Sequence, residues 1–157
     1  MLTEQQTNRV WEKMLAARVR SLYFGDLAAR YTARKQLITG LSFFLSSGAA
    51  ATALARMPVW VTSTSAVLAA TLMAYSIAVG LDKAAPQMAK LHYAWNQLDA
   101  EYGRLWSHWY EDEAEKLFAD LQSRSADVSQ MSTDAPFDEN RLAKWEDRVL
   151  LAEYGRA

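Results

Sequence analysis

The side chains best suited to chemistry are few in this 157-residue chain, and their spacing argues against catalysis. His92 and His108 are sixteen positions apart. On one helix, that spacing separates them by about 160° in azimuth and roughly 24 Å along the axis, so they cannot share a metal ion. The absence of cysteine excludes thiol catalysis, thiolate metal sites and disulfides. With no Gly-rich phosphate loop, nucleophile elbow or zincin pattern, the sequence predicts no enzyme, no catalytic residue, no metal and no cofactor.

Basic and aromatic side chains alternate in the segment that precedes the first hydrophobic run. Cations in this position can contact anionic lipid headgroups. They can instead bind the phosphates of a nucleotide or short oligonucleotide, with the tyrosines stacking on bases. Residue content alone favours the lipid interpretation, and the phosphate interpretation stays open. The candidate binding residues are Arg18, Arg20, Tyr23, Arg30, Tyr31, Arg34 and Lys35.

Hydroxyl side chains within the hydrophobic runs form a third group of candidates. Thr39, Ser42 and Ser46 share one helix face at i, i+3, i+7 spacing, and Thr64 and Thr71 share a face of the second run. Two helices enclose no pathway, so these residues can line a pore only in an assembly of several copies. Serine and threonine also bond to the carbonyl four residues back, which makes lipid exposure an open alternative.

Two long uncharged runs are the elements that position these side chains. Gln36–Ala55 gives 20 residues without a charge, and Met57–Leu81 gives 25 more. A helix needs about 20 apolar residues to cross a membrane. Because a soluble helix normally has a charged outer face, the runs favour a transmembrane hairpin over roughly 36–81 rather than the buried hairpin of a soluble bundle. The short Arg56-Met57-Pro58 connection makes the two helices antiparallel neighbours.

The charge distribution predicts how this hairpin is oriented. Residues 1–35 have seven Lys/Arg and three Asp/Glu, a net charge of +4, whereas residues 82–157 have a net charge of −6. The basic lead-in and the nearby Lys83 and Lys90 lie on one side, and Arg56 alone lies at the turn. The positive-inside rule therefore predicts a two-pass protein with both termini in the cytoplasm. Neither run contains a charged residue or a histidine, which disfavours an ion-coupled transporter.

The fold class predicted from these patterns is an all-α membrane protein. An N-terminal amphipathic helix starts at a Thr3–Gln6 capping box and ends at a break around Gly25. The predicted elements, in chain order, are the N-terminal amphipathic helix over 1–24, a helix with the first span over 26–57, the second span over 58–81, a long cytoplasmic coiled-coil-like helix over 82–123, a linker over 124–137 and a C-terminal helix over 138–155.

Two patterns predict helix association. One is a row of alanines at i, i+4 spacing in the second run, where another helix can approach closely. The other is a 3-4 apolar repeat typical of a coiled-coil seam. Both can serve packing within the chain, and both can serve a homo-oligomer. The candidate oligomerisation residues are Ala66, Ala70, Ala74 and Ala78 in the row, and Met88, Leu91, Trp95, Leu98, Tyr102, Leu105 and Trp109 in the seam.

This organisation resembles the SLATT family over about residues 8–122. The residues that carry the resemblance are the Tyr23-Phe24-Gly25 segment, Arg30-Tyr31 and Arg34-Lys35, followed by the two-span hairpin and the long helix. The resemblance implies a bacterial inner-membrane effector that forms pores or depolarises the membrane, similar to the membrane effector of Hailong-type antiphage defence. There the oligodeoxynucleotide product of a partner nucleotidyltransferase controls the channel. This adds weight to phosphate binding by the basic segment.

Two functions remain open from the sequence. The first is a homo-oligomeric, ligand-gated ion channel that acts as an antiviral effector, with the lipid bilayer and a nucleotide or single-stranded oligonucleotide as its other partners. The second is a non-channel membrane anchor or scaffold that presents a helical interaction module.

Overall fold

The computed structural model describes residues 1–47 and 59–155. This part of the chain forms five helices and contains no strand, so the all-α prediction is confirmed for it. The predicted turn at Arg56-Met57-Pro58 lies outside the described residues, as does the end of the first predicted span. The helices are α1 Glu4–Ser46, α2 Val59–Ala78, α3 Leu81–Ser107, α4 Ala114–Met131 and α5 Glu139–Tyr154.

The chain divides into two compact units. The bundle unit comprises Met1–Leu27 and Gln87–Ala157, and the apolar unit comprises Ala28–Pro86. Within the described residues, no single helix is long and apolar enough to cross a membrane on its own. One consecutive pair, Ala66–Ala78 and Leu81–Ser107, meets the same length and composition criteria jointly, across a 41° bend. Gly80 lies at this bend with φ of +64°, a left-handed conformation that favours glycine.

The capping box predicted at the start of α1 is confirmed. The Thr3 amide donates to Gln6 Oε1 at 2.8 Å, and the Gln6 amide donates to Thr3 Oγ1 at 3.3 Å. This reciprocal pair satisfies two of the amides that a helix N-terminus leaves without intrahelical partners.

The break predicted around Gly25 is wrong, because α1 continues through it as one helix. A Cβ at Gly25 would lie 3.0 Å from His92 Nδ1. His92 Nδ1 lies 2.7 Å from the Ser21 carbonyl oxygen and 3.2 Å from Ser21 Oγ. Glycine therefore lets α1 approach the imidazole of α3 closely. The sequence signal for a helix end was in fact a signal for helix–helix contact.

We expect Gly25→Ala to destabilise the bundle unit. Alanine normally stabilises a helix interior by about 1 kcal/mol relative to glycine, but here its methyl group would press on an imidazole held in place by Ser21. Overpacking of this kind costs about 1–3 kcal/mol and exceeds the gain. Gly103→Ala is the matched control, because its Cβ would make an ordinary 3.7 Å contact with Met14 Sδ. Thermal unfolding should give a lower Tm for Gly25→Ala and an unchanged or higher Tm for Gly103→Ala; equal Tm changes would contradict this account.

The single long helix predicted over 82–123 is also wrong, since α3 ends at Ser107 and α4 begins at Ala114. Acidic residues crowd the turn at Glu111, Asp112 and Glu113, with Glu115 in the first turn of α4. Negative charges repel one another along a helix interior, but they stabilise a helix N-terminus through the macrodipole. The charge cluster therefore favours a new helix start over continuation of α3.

The linker predicted over 124–137 is largely helical, because α4 extends to Met131. Its apolar stripe continues beyond Leu121 to the buried Val128. The serines that suggested a loop bond instead to carbonyls four residues back, as Ser129 Oγ does to the Ser125 oxygen at 2.8 Å. The C-terminal helix starts as predicted: Asp138 caps α5 by accepting from the Arg141 amide at 3.2 Å.

The coiled-coil seam of α3 forms the core of the bundle unit. Six of its seven predicted members are no more than 3% exposed, and Trp109, on the turn after α3, is 43% exposed. α1 covers one side, where the ring centroids of Trp11 and Trp106 lie 5.2 Å apart. α4 covers another, where Tyr102 Oη donates to the Leu121 oxygen at 3.2 Å. The buried six therefore pack within one chain, which is the first of the two roles predicted for the seam: Met88, Leu91, Trp95, Leu98, Tyr102 and Leu105.

Candidate functional site

The apolar unit exposes large hydrophobic side chains on uncharged helix segments. In α1, Phe43 is 74% exposed, and in α2, Ile77 is 76% exposed. From Gln36 to Ser46 and from Val59 to Ala78 neither helix has a charged residue. Such a surface is unfavourable in water, because burial of each large apolar side chain contributes about 1.5–3 kcal/mol. The exposed members of this apolar surface are Leu37, Leu41, Phe43, Phe44, Val67, Leu68, Met73, Tyr75, Ile77 and Val79.

The five hydroxyl residues predicted to line a pore are not equivalent in the structure. Thr39, Ser46, Thr64 and Thr71 are exposed, whereas Ser42 is only 2% exposed. Ser46 Oγ donates to the Ser42 carbonyl oxygen at 2.6 Å, and Thr71 Oγ1 donates to the Val67 oxygen at 2.8 Å. These bonds to the preceding turn satisfy the hydroxyl hydrogens of Ser46 and Thr71 inside one helix.

The alanine row of α2 is open along its whole length. Its four members are exposed and lie on one helix face. In a second helix facing this strip, the two backbones can come closer than larger side chains would allow. The residues of this strip are Ala66, Ala70, Ala74 and Ala78.

The basic residues next to the apolar surface have separate environments. Lys35 Nζ pairs with Asp82 Oδ1 at 2.8 Å, an ion pair at the end of the apolar unit where α3 begins. Arg30 and Arg34 are exposed, and Tyr31 is half-buried. The predicted phosphate-binding residues therefore fall into both units. Lys35, Arg30, Tyr31 and Arg34 belong to the apolar unit, whereas Arg18, Arg20 and Tyr23 belong to the bundle unit.

Arg18 serves the architecture of the bundle unit. Its Nε pairs with Asp99 Oδ2 at 3.1 Å, and its Nη1 makes a close ion pair with Glu153 Oε1. The guanidinium thus links α1 to α3 and to α5. With two carboxylates already bound, Arg18 has little capacity left for a ligand phosphate.

Arg20 differs from Arg18 in having no carboxylate partner among the described residues. Its guanidinium carbon lies 4.6 Å from the centroid of the Trp95 ring, a cation–π contact. Partial burial lowers the pKa of Arg20 below its usual value, although the group stays protonated near neutral pH. An arginine that is partly desolvated and lacks a counter-ion is well placed to bind an anion.

A cavity of about 360 Å³ opens beside Arg20, between α1, α3 and the segment that joins α4 to α5. Aromatic rings make up much of its lining, and Trp95 Nε1 donates to Ser132 Oγ at 3.3 Å on one wall. Phe137 at the rim is 72% exposed. We call this space the Arg20 cavity, and its main lining residues are Arg20, Tyr23, Phe24, Trp95, Ser132 and Phe137.

Tyr23 fixes the loop that closes one side of the Arg20 cavity. Its hydroxyl donates to the Pro136 carbonyl oxygen at 2.9 Å and accepts from the Asp138 amide at 2.9 Å. The ring is buried and meets Phe24 edge to face, with centroids 5.2 Å apart. Tyr23 therefore positions the start of α5, and its ring is not free to stack on a base.

Helix α5 is held mainly by polar contacts. Val149 is its one buried residue, and Arg141 Nη1 reaches Asp26 Oδ2 at 3.6 Å. At the far end, Trp11 Nε1 donates to Tyr154 Oη at 3.4 Å. Few buried apolar groups and partly exposed ion pairs give low local stability.

Removal of the Arg18–Glu153 pair should loosen α5 selectively. We expect Arg18→Gln to speed amide hydrogen exchange in α5 by a factor of about two to five, because partly exposed ion pairs contribute about 0.5–1 kcal/mol. Arg124→Gln is the control, since Arg124 pairs with Glu101 of α3 at 2.9 Å and is not joined to α5 by an ion pair or hydrogen bond. Equal acceleration in α5 by both variants, measured by mass spectrometry, would show that the Arg18 pair does not hold the helix.

Of the residues that line the Arg20 cavity, the sequence identified Arg20 and Tyr23 as candidate binding residues and no others. The periodicity places Trp95 in a helix seam, Phe24 belongs to the predicted break, and no pattern points to Phe137. The available signal was Trp95 itself, an amphipathic side chain whose indole N–H needs a partner when buried. The contact between Trp95 and the α4–α5 segment depends on the path of the chain after α4, which local periodicity does not specify.

Comparison of the chain with protein-family models, curated proteins and solved structures found no match.

Proposed function

We propose that this chain is a two-pass membrane effector of the SLATT type, which assembles as a homo-oligomeric ion channel in the bacterial inner membrane. In this proposal both termini are cytoplasmic, and a nucleotide or oligonucleotide signal acts on the bundle unit. The antiviral role rests on the family resemblance alone.

The exposed apolar surface is the observation that carries the membrane part of the proposal. A soluble bundle would bury Phe43 and Ile77 or replace them by polar residues, because contiguous exposed apolar patches are rare on soluble proteins. Lipid tails accept such side chains at no cost. Lipid tails can also surround a helix that has no charged face. A soluble helix seldom lacks charge on all faces for several turns.

The alanine strip of α2 and the exposed hydroxyls support assembly. Two helices of one copy enclose no pathway, so a pore needs several copies. Between helices in lipid, close backbone approach over small residues replaces the hydrophobic driving force. Thr39 and Thr71 add polar groups to otherwise apolar helices and are candidates to line the resulting path. Ser42 is buried within a single copy and is therefore a weaker candidate than its neighbours.

Flux measurements on purified protein in liposomes test this proposal. We expect ion flux that changes when short oligodeoxynucleotides are added on the side of the bundle unit, together with a defined oligomer by native mass spectrometry. Ala70→Leu, which places a bulky side chain on the alanine strip, should reduce both flux and oligomer. Val67→Leu is the control, since Val67 is exposed but lies off the alanine row. A strict monomer without flux under any condition would leave a membrane anchor or scaffold as the better description.

A further inference from the structure

We propose that the Arg20 cavity binds one nucleotide unit, with its phosphate on the Arg20 guanidinium and its base stacked on the aromatic rim at Phe137. This deepens the proposed function by naming the site and size of the ligand, and it rests on that function only for its biological use. Binding itself is measurable without any channel activity.

Arg20 supplies the recognition of charge. It is the one charged residue among the described residues that line the cavity, and no described carboxylate neutralises it. The nearby hydroxyls are already committed as donors: Ser132 Oγ donates to the Val128 oxygen at 2.8 Å, and Ser129 Oγ donates to the Ser125 oxygen at 2.8 Å. An anion in the cavity would therefore take its hydrogen bonds from the guanidinium, which can bind a phosphate through two N–H groups.

The aromatic side chains supply the recognition of a flat ring. Trp95 contacts the guanidinium and restricts the conformation of the Arg20 side chain. Because it is only 1% exposed, its own ring is not accessible to a base. Phe137 is 72% exposed at the rim, where a solvated phenyl ring gains from being covered. Base–aromatic stacking of this kind contributes about 1–3 kcal/mol per base and tolerates every base.

The size of the cavity matches a single nucleotide. At about 360 Å³, it lies at the lower end of ligand sites, which span about 300–1,000 Å³. One base with its sugar and phosphate fits that space, whereas a second nucleotide would extend into solvent. An oligonucleotide would therefore insert one terminal or looped-out nucleotide and leave the rest outside.

Calorimetry on the full chain in zwitterionic nanodiscs tests this assignment. The probes are the four deoxynucleoside 5′-monophosphates, the corresponding nucleosides, deoxyribose 5-phosphate and inorganic phosphate. We expect each monophosphate to bind at least tenfold tighter than its nucleoside and than either phosphate without a base. Lengthening to a dinucleotide or a tetranucleotide should improve affinity by less than tenfold. Monophosphates that bind no better than inorganic phosphate would overturn the proposal.

Substitutions at two exposed residues separate the phosphate-binding part of the site from the base-stacking part. Arg20→Gln should weaken monophosphate binding at least tenfold and leave nucleoside binding unchanged, whereas Phe137→Ala should weaken monophosphate and nucleoside alike and leave phosphate unchanged. Arg9→Gln and Tyr93→Ala are the controls, since Arg9 and Tyr93 are exposed and do not line the cavity. Wild-type affinity in both Arg20→Gln and Phe137→Ala would place the nucleotide elsewhere.

A lipid headgroup is the competing source of phosphate. Nanodiscs that contain anionic phospholipid provide the second arm of the experiment. If the anionic lipid weakened monophosphate binding to the wild-type chain and had no such effect on Arg20→Gln, the cavity would be assigned to a lipid headgroup. That result would overturn the nucleotide assignment. A failed flux experiment with intact monophosphate binding would refute the channel and keep the site. Ion flux that responds to oligonucleotides in a protein that binds no monophosphate would refute the site and keep the channel.

Discussion

Replacement of Leu68 by lysine is expected to release much of the protein from the membrane. Leu68 lies near the middle of α2 and is exposed. A lysine at the centre of a transmembrane helix costs about 2.5–3.5 kcal/mol in insertion. The same change on the surface of a soluble helix would cost almost nothing and would improve solubility. A transmembrane α2 and a soluble α2 thus predict opposite effects of Leu68→Lys on how well the protein is tolerated in its environment.

Carbonate extraction of membranes provides the measurement. We expect the wild-type chain to stay in the membrane fraction and the Leu68→Lys chain to shift to the soluble fraction or be degraded. Leu151→Lys is the control, because Leu151 is 72% exposed, more than Leu68 at 53%, but lies on α5 of the bundle unit. Its membrane fraction should equal that of the wild type. A soluble wild-type chain, or a Leu68→Lys chain that remains in the membrane as the wild type does, would argue against insertion of α2.

Trp95→Ala should cause the largest loss of folding stability in the bundle unit. Trp95 is 1% exposed at the centre of the α3 seam, and it bonds to Ser132 and supports Arg20. Truncation of a buried tryptophan leaves a cavity and typically costs about 3–5 kcal/mol. Tyr93→Ala is the matched control, two positions away on the same helix but 69% exposed. It should change the free energy of unfolding by less than about 0.5 kcal/mol.

This pair of variants also tests whether the seam packs within one chain. If it does, the loss at Trp95 is independent of protein concentration, because no second copy takes part in the buried contact. Denaturant unfolding monitored by circular dichroism at two concentrations tenfold apart gives the comparison. The unfolding midpoint of the wild type could instead rise with protein concentration, while that of Trp95→Ala does not. Such a result would show that the seam is an interface between copies.

The structure and the sequence agree wherever a local rule decides the outcome. The Thr3–Gln6 box depends on residues three positions apart and occurs as predicted. The C-terminal helix starts where it was predicted, and the structure adds the Asp138 cap at that start. The 3-4 repeat of α3 likewise identified the buried face. What the repeat could not reveal was its partner. A seam looks the same in sequence whether it faces a second copy or helices α1 and α4 of its own chain.

The disagreements arise where a residue has two possible physical roles. Gly25 can end a helix or allow close packing, and the position of His92, 67 residues further along the chain, decides between them. The acidic cluster at Glu111–Glu113 can be a solvated face or a helix start. The Arg20 cavity was beyond prediction for a related reason. Arg18 and Arg20 are alike in sequence, and only the fold shows that carboxylates neutralise the first and leave the second free.

Membrane crossing is the central claim, and cysteine labelling tests it most directly. The chain contains no cysteine, so single substitutions give a clean signal. Arg56→Cys, between the two uncharged runs of the sequence, should react with a membrane-impermeant maleimide applied outside intact spheroplasts. Ser129→Cys, on α4 of the bundle unit, should react only after lysis. Labelling of Arg56→Cys only after lysis, or equal labelling of both before lysis, would contradict the two-pass topology.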